Sequence, residues 1–469
     1  MDSTKLCYLS AGELSWLIQQ RQVSPVEVVD AHISRIEATE GILNSFITLL
    51  GEQAKRSAAR AENEIMMGNY RGPLHGIPLG LKDLFDTANA RTTSGSCVFN
   101  DFVPLQDSTV SARLKRAGAI LLGKLNMHQL AYGPTGENPD YGCTANPWNP
   151  KRCTGGSSSG SASATAAGQC TVTMGSDTGG SVRIPAALCG VVGLKPSYGL
   201  VSRHGMTPLS WSTDHPGPIT RTVGDAALMM NVIAGYDADD IATSCHEVPD
   251  YTAALDGEIR GLRVGVLREY FEAPLDAEVA YWTKQTIDRL EEAGASVRTI
   301  SLPMFEYAQA LSKAIVMAEA TARHRQLLAM EAEKLSRPVR LRLESGLFLS
   351  AADYLKAQQA RTLLNKACLN LFEEVDLLAG PTVPVTAPSA GEQAVLVGNQ
   401  RMDVTATLTH YTRPWNLTGA PAISVPCGFS ASGLPIGLQL IGRPFDDLTV
   451  LRAAHAVEQI NDSRAWPPM

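Results

Sequence analysis

The stretch Thr154–Ala187 reads TGGSSSGSASATAAGQCTVTMGSDTGGSVRIPAA, and it decides more about this chain than any other segment. Two Gly-Gly-Ser steps end at Ser157 and Ser181, 24 residues apart, with a short apolar run between them. Glycine beside serine lets the backbone approach a substrate closely and adopt angles that other residues avoid. A hydroxyl held in such a turn, with N–H groups around it, suits acyl transfer.

Short apolar segments on both sides of this stretch predict a buried sheet. They lack polar alternation, which indicates strands covered on both faces by helices. We therefore expect an α/β fold, a large mixed β-sheet core with helices on both faces. The predicted strands are Gly76–Leu81, Ala119–Gly123, Thr171–Met174, Leu262–Leu267, Ser296–Ile300, Asp376–Ala379, Ala422–Val425 and Ile436–Ile441.

Helix signals surround these strands. Capping boxes at Ser10 and Ser24 predict that residues ~1–70 are N-terminal covering helices. Further helices are expected from Asp276 to Ala293 and from Ser350 onward. Residues ~301–350 are predicted to be a helical flap over the active-site side, with a separate small domain as the second reading. No linker divides the chain, so 1–469 is expected to be a single domain.

Composition excludes several functions. The net charge is −7 and no long run of like charges occurs, which argues against nucleic acid or a membrane surface as a partner. No apolar run reaches the ~18 residues of a spanning helix. The nine cysteines form neither C-x-x-C nor a Cys/His cluster, so we expect reduced thiols, a cytoplasmic location and no metal site.

Ser181 follows Asp177-Thr178-Gly179-Gly180, at the end of a predicted strand. The N–H groups of Thr178, Gly179 and Gly180 are candidates for an oxyanion hole. An isolated Gly-Gly-Ser is usually only a tight turn, and no histidine stands in a triad-like context. The candidate base is Lys82, whose apolar neighbours can desolvate it and lower its pKa.

The motifs together resemble the amidase signature family. They are Gly80-x-Lys82-Asp83, Gly155-Gly156-Ser157-Ser158-Ser159-Gly160-Ser161-Ala162 and Gly179-Gly180-Ser181-Val182-Arg183-x-Pro185-Ala186. The intervals of 75 and 24 residues match that family's pattern. Further likeness extends over nearly the whole chain, including Asp214-His215-Pro216-Gly217-Pro218, and is weakest between about 240 and 335.

The resemblance implies a Ser–cis-Ser–Lys triad for amide hydrolysis through an acyl-enzyme. Ser181 is then the nucleophile, Ser157 the bridging serine that relays the proton, and Lys82 the base. The peptide bond Gly156–Ser157 is expected to be cis. Supporting roles are expected for Ser158, Asp177 and Arg183. No metal or organic cofactor is implied.

Two rival functions fit parts of the sequence. Gly156–Gly160 also fits the nucleophile elbow of an α/β-hydrolase esterase with Ser158 as nucleophile, but prolines where a strand is needed argue against it. The stronger rival is the amidase subunit of a glutamyl-tRNA amidotransferase, which would make ammonia from glutamine for a partner subunit. Ile184 and Thr409 depart from that group's glutamine and aspartate, whereas Arg342 falls where it carries a carboxylate-binding arginine. On these departures a free-standing amidase is favoured.

The expected substrate is a small-molecule amide, aryl or small aliphatic, or a carbamate (urethane). Candidate pocket residues are Met127, Tyr132, Arg342 and Trp415. The expected partners are therefore only a small-molecule amide or carbamate, without nucleic acid or membrane. A homodimer is a common outcome at this chain length.

Overall fold

The computed structural model describes residues 2–461 and 465–469. Several of its helices begin where the sequence carries capping signals, because the Ser10, Ser24 and Ser350 hydroxyls each accept a backbone N–H of the first turn. The α-helices are α1 (Ser3–Tyr8), α2 (Ala11–Gln19), α3 (Pro25–Leu43), α4 (Gly51–Met66), α5 (Thr109–Arg116), α6 (Ser159–Ala166), α7 (Arg183–Cys189), α8 (Val223–Ile233), α9 (Arg268–Glu272), α10 (Ala277–Glu292), α11 (Ala308–Glu331), α12 (Arg337–Gly346), α13 (Ala351–Glu374), α14 (Val404–Thr409), α15 (Arg413–Thr418) and α16 (Asp447–Asn461).

One mixed sheet forms the centre of the molecule. Its strands are β1 (Phe46–Leu49), β2 (Pro78–Lys82), β3 (Ile120–Leu125), β4 (Val172–Asp177), β5 (Val192–Lys195), β6 (His215–Thr220), β7 (Arg263–Leu267), β8 (Ser296–Ile300), β9 (Leu377–Pro381), β12 (Ala422–Phe429) and β13 (Pro435–Gly442). Among the described residues these eleven strands lie in the order β1-β3-β2-β4-β6-β5-β12-β13-β9-β7-β8. A separate hairpin pairs β10 (Ala394–Val397) with β11 (Gln400–Asp403). The fold is the large mixed α/β sheet expected from the sequence.

Both faces of the sheet are covered. Side chains alternate between the faces of a strand. On β3, Leu121 therefore packs into one buried cluster, while Ile120 and Leu122 pack into another. On β12, Ile423 belongs to the first cluster and Ala422 to one beside α11 and α13. This explains why the strands read as apolar runs.

The parallel neighbours β2 and β4 position the candidate catalytic groups. Leu81 of β2 pairs with Met174 of β4, so both strands end at the same edge of the sheet. β2 ends at Lys82 and β4 ends at Asp177. The two serine-rich turns, which precede α6 and α7, meet at this edge.

The sequence prediction failed for some strands. β1, β5, β6 and the β10–β11 hairpin were not predicted. β8 was predicted to be buried on both faces, but it is the edge strand and most of it is exposed. No helix within the described ranges is both long and apolar enough to cross a membrane.

Candidate active site

Lys82 lies at the end of β2 and is fully buried. Its Nζ donates hydrogen bonds to Oγ of Ser157 at 2.7 Å and to Oγ of Ser176 at 2.8 Å. Burial lowers the pKa of Lys82 to about 7, although the negative charges of Asp177 and Asp214 act in the opposite direction. A substantial fraction of the amine is therefore neutral near pH 7 and able to accept a proton.

Ser157 follows a cis peptide bond, Gly156–Ser157, as the resemblance implies. A Cβ atom on Gly156 would lie 2.5 Å from the backbone N of Gly136, so only glycine fits there. The Ser157 hydroxyl is buried and contacts Lys82. This geometry matches a group that passes a proton between a lysine and a second hydroxyl.

Ser158 does not form a nucleophile elbow. Its Oγ donates to the carbonyl of Ser176 and accepts from the N–H of Ser176, both at 3.2 Å. Its own N–H donates to the carbonyl of Ser181 at 3.2 Å. A loop, and not a strand, precedes it. Ser158 thus joins the two serine turns to the end of β4, and the α/β-hydrolase reading is wrong.

Ser181 lines a cavity, and no hydrogen bond to its hydroxyl occurs among residues 2–461 and 465–469. Of the three expected oxyanion donors, Thr178 and Gly179 have free backbone N–H groups in this part of the structure. Gly180 differs from the expectation, because its N–H donates to Oδ1 of Asp177 at 2.7 Å. The available amides around the cavity are therefore those of Thr178, Gly179 and Ser181.

Asp177 and Arg183 form a buried pair beneath the nucleophile turn. Nε and Nη2 of Arg183 each donate to the carboxylate of Asp177 at 3.0 Å. Burial alone would raise the pKa of the Asp177 carboxyl, but the Arg183 guanidinium more than offsets this and holds it well below its usual range. Two further Arg183 donors reach Gln439 and Asn416. Four of the five N–H donors of Arg183 are thus bound inside the protein, and Arg183 does not line the cavity.

The cavity beside Ser181 has a volume of about 530 Å³. Its wall comes from the loop after β3, the nucleophile turn, α11, α12 and the segment 403–413. Its lining residues include Ala131, Tyr132, Gly133, Pro134, Thr178, Gly179, Ser181, Leu209, Ser312, Lys313, Val316, Met317, Leu341, Arg342, Ser345, Asp403, Thr405, Ala406, Thr409 and Arg413. Two of the four predicted pocket residues, Tyr132 and Arg342, therefore line this cavity.

The other two predicted pocket residues do not line this cavity. Met127 and Trp415 are completely buried, Met127 against Gly95 and Trp415 in the cluster with Phe305. Their apolar side chains are covered by neighbouring elements on all sides. Arg413, two residues before Trp415, lines the cavity instead, and the sequence reasoning missed it. The only signal was a charged residue inside the motif Thr412-Arg413-Pro414-Trp415-Asn416.

Comparison with known proteins identifies the family of this chain. The family model for Amidase matches residues 27–451. The chain belongs to the Amidase family. Like other members, it is an enzyme that acts on the C–N bonds of amides.

Among individual members, the curated relatives include a glutamyl-tRNA(Gln) amidotransferase subunit from Roseiflexus sp. (strain RS-1), 43% identical over 98% of both chains. The protein of the same name from Moorella thermoacetica (strain ATCC 39073 / JCM 9320) is 44% identical over 97% of both. A similar solved structure is described as a vestigial protein complex that reveals the evolutionary origins of an s-triazine catabolic enzyme. It has a TM-score of 0.93, is 33% identical, and the match covers 98% of this chain and all of that one.

These relatives overturn two sequence-based expectations. The preference for a free-standing amidase of aryl amides, small aliphatic amides or carbamates is wrong, because the near-full-length relatives are named as amidotransferase subunits. The expected partners are also wrong. We expected only a small molecule, no nucleic acid and a homodimer, but the name of these relatives includes both "subunit" and "tRNA". The departures at Ile184 and Thr409 count for less than the likeness of the whole chain.

Proposed function

We propose that this chain is the amidase subunit of an amidotransferase of the glutamyl-tRNA(Gln) kind. It hydrolyses the carboxamide of a carboxylate-bearing donor, and a partner subunit uses the ammonia. The observation that carries the proposal is the 43–44% identity to such subunits over 97–98% of both chains. The half-buried Arg342 in the cavity of Ser181 supports it, because a guanidinium suits a carboxylate.

The proposed mechanism uses the contacts at the sheet edge. Ser181 attacks the carboxamide carbon and passes its proton to Oγ of Ser157, which passes its own proton to neutral Lys82. The amides of Thr178, Gly179 and Ser181 hold the oxyanion, each such donor being worth about 10²–10³ in rate. The proton returns through Ser157 to the leaving nitrogen, ammonia departs, and water hydrolyses the acyl-enzyme. The Ser181 hydroxyl has no hydrogen-bond partner among the described residues. This is consistent with the mechanism, because catalytic hydrogen bonds commonly tighten only when substrate is bound.

The organisation of the chain belongs to the same proposal. We treat 1–469 as one amidase domain, with ~1–70 covering the sheet and ~301–350 as a flap over the site. Helices α11 and α12 of that segment supply cavity residues such as Ser312 and Arg342. A cytoplasmic location fits the nine cysteines, none of which is in a disulfide within the described residues.

The test is reconstitution of the chain with the companion subunits of the Moorella enzyme, which contains one of its relatives. We expect ammonia release and conversion of glutamyl-tRNA(Gln) to glutaminyl-tRNA(Gln), both lost in Ser181→Ala and Lys82→Met. Full-rate ammonia release without any companion subunit, or failure to amidate the tRNA with every carboxamide donor offered, would overturn the proposal.

A further inference from the structure

Two guanidinium groups face the cavity of Ser181, and neither has a carboxylate partner. Arg342 donates to the carbonyl of Tyr132 and, at 3.4 Å, to Oγ1 of Thr405. Arg413 donates from Nη1 to Oε1 of Gln309 at 2.6 Å. Among residues 2–461 and 465–469, no carboxylate oxygen lies within 4.0 Å of either group. Partly buried cations with only neutral partners favour an anionic ligand.

Arg413 stands beside the reacting serine. A Cβ atom on Gly179 would lie 3.3 Å from Cγ and 3.6 Å from Nε of Arg413, so the arginine stem packs against the nucleophile turn. Gln309 holds the guanidinium of Arg413 in position, because Nε2 of Gln309 also donates to the carbonyl of Ala406 at 2.8 Å. Burial lowers the pKa of Arg413 to about 10, and the charge of Arg342 acts in the same direction, whereas Tyr132 and the charge of Asp403 act in the opposite direction. Arg413 is still charged at neutral pH, and four of its five donors remain for a ligand.

A zwitterionic donor such as glutamine would also need a group that accepts hydrogen bonds from its α-ammonium group. Thr409 does not provide such a group. The Thr409 hydroxyl donates to the carbonyl of Thr405 at 2.8 Å and receives Nε2 of Gln309 at 3.4 Å. The one acidic residue in the described wall, Asp403, is exposed and caps α14 by accepting the N–H of Ala406 at 2.8 Å. The wall near Ser181 therefore carries positive charge and lacks a buried carboxylate for a substrate ammonium.

We infer that Arg413 is a second anion-binding residue of the donor site, and that the donor is recognised as an anionic carboxamide without an α-ammonium group. The inference rests on the proposed function for the reaction itself and refines which donor the site selects. Its chemical class is the monoamide of a dicarboxylic acid or an equivalent anionic carboxamide. A zwitterion such as glutamine places an ammonium against the guanidinium groups, and that repulsion reduces its affinity.

Three matched compounds, glutaramate, glutamine and glutaramide, test this selectivity. Glutaramate is glutamine without the α-amino group, and glutaramide is the neutral diamide that corresponds to glutaramate. We expect kcat/KM for Ser181-dependent ammonia release to be at least 10-fold higher for glutaramate than for either other compound. Arg413→Met should lower kcat/KM for glutaramate about 10- to 100-fold, mainly through KM, because it removes a charge-assisted hydrogen bond. Glutaramide hydrolysis should change less than threefold.

Further variants separate binding from structural damage. Arg413→Lys should retain part of the preference, and Thr409→Asp should shift it toward glutamine. Arg401→Met removes an exposed arginine outside the cavity wall and should change nothing. Equal losses on glutaramate and glutaramide in Arg413→Met, or glutamine hydrolysed as well as glutaramate by the unaltered chain, would overturn the inference.

Calorimetry with the inactive Ser181→Ala variant measures the binding of the same three compounds without turnover. Glutaramate should bind at least 10-fold more tightly than glutamine or glutaramide, and Arg413→Met should remove the difference. Absence of that preference defeats the inference even if ammonia release depends on the companion subunits. The reverse result, selective binding with no ammonia transfer, defeats the proposed function and leaves Arg413 as the anion-binding residue.

Discussion

The hydroxyl of Thr178 donates a 2.6 Å hydrogen bond to Oδ1 of Asp214, which ties the nucleophile turn to the loop before β6. The other oxygen of Asp214 accepts the N–H groups of Leu209 and Ser210 at 2.8 and 3.0 Å. Ser210 in turn donates its hydroxyl to Glu319 of α11 at 2.6 Å. One buried carboxylate therefore holds both a candidate oxyanion donor and a loop attached to the helices that line the cavity.

Replacing Asp214 with asparagine should lower kcat about 10- to 100-fold, within the range for a disturbed oxyanion donor. KM should change less than threefold, because Asp214 contacts the turn and does not line the cavity. The measurement is steady-state ammonia release. Thr178→Val should act like Asp214→Asn, whereas Thr178→Ser keeps the hydroxyl and should keep most of the rate. The exposed Asp239→Asn serves as control. A rise in KM at unchanged kcat would contradict the positioning role.

The pH dependence of kcat/KM should follow Lys82. Its pKa of about 7 means that the amine is protonated and unable to act as a base at lower pH, so the rate rises with pH through about 7 and then levels off. The Asp214 charge raises the pKa of Lys82, so Asp214→Asn should move the midpoint to lower pH. A pH–rate profile from pH 5 to 9 for both proteins checks this. A flat profile, or an upward shift in Asp214→Asn, would show that Lys82 is not the titrating base.

Much of the fold could be predicted from the sequence because apolar runs and capping boxes are local signals. β7, α10 and β8 lie within a residue or two of the expected strand–helix–strand unit. β6 was missed because its sequence, His215-Pro216-Gly217-Pro218-Ile219-Thr220, is rich in residues that rarely form a central strand. It is nevertheless paired on both sides, with β4 and β5. Only tertiary pairing explains that strand.

The catalytic residues of the site could also be predicted from the sequence, whereas most of the cavity wall could not. Lys82, Ser157 and Ser181 could be assigned as a triad because their motifs and intervals resemble those of the amidase signature family. The cavity wall has no such setting, since Arg413 and Arg342 come from separate helices that meet only in the folded chain. The side chain of Trp415 was expected in the pocket, but α15 turns it into the core. A residue's neighbours in sequence do not reveal which face of a short helix meets the cavity.

Breaking the buried pair Asp177–Arg183 should destabilise the fold. Arg183→Met leaves a buried carboxylate without its cation, and we expect the free energy of unfolding at pH 7 to fall by roughly 3–5 kcal/mol. The Asp177 pKa is held below its usual value, so this stabilisation is present above the unfolded-state pKa and is lost as the pH falls through the folded-state value. In the variant the pKa of Asp177 rises, so the deficit should shrink as the pH falls toward 4.

Urea unfolding at pH 7 and pH 4.5 measures this difference. The control is Arg263→Met, which breaks the solvent-exposed pair Arg263–Asp376 (2.6 Å) and should lower the free energy of unfolding far less than Arg183→Met does. Equal effects of the two substitutions at pH 7 would contradict the cost expected for an unpaired buried carboxylate.

Gly180 should tolerate no side chain, although its N–H is not a free oxyanion donor. Its φ is +125°, and a Cβ atom there would clash with Oγ1 of Thr412 and lie 2.5 Å from Cδ1 of Ile184. Thr412 is fixed by its own 2.7 Å bond to the carbonyl of Gly179, so the turn must move instead. Gly180→Ala should therefore reduce kcat at least 100-fold and destabilise the fold by about 1–3 kcal/mol.

The control is Gly41→Ala, in open space on α3, which should instead stabilise the fold by up to about 1 kcal/mol. Ammonia release and thermal unfolding of both variants decide the matter, and an active, stable Gly180→Ala enzyme would mean that the turn is less constrained than these contacts require.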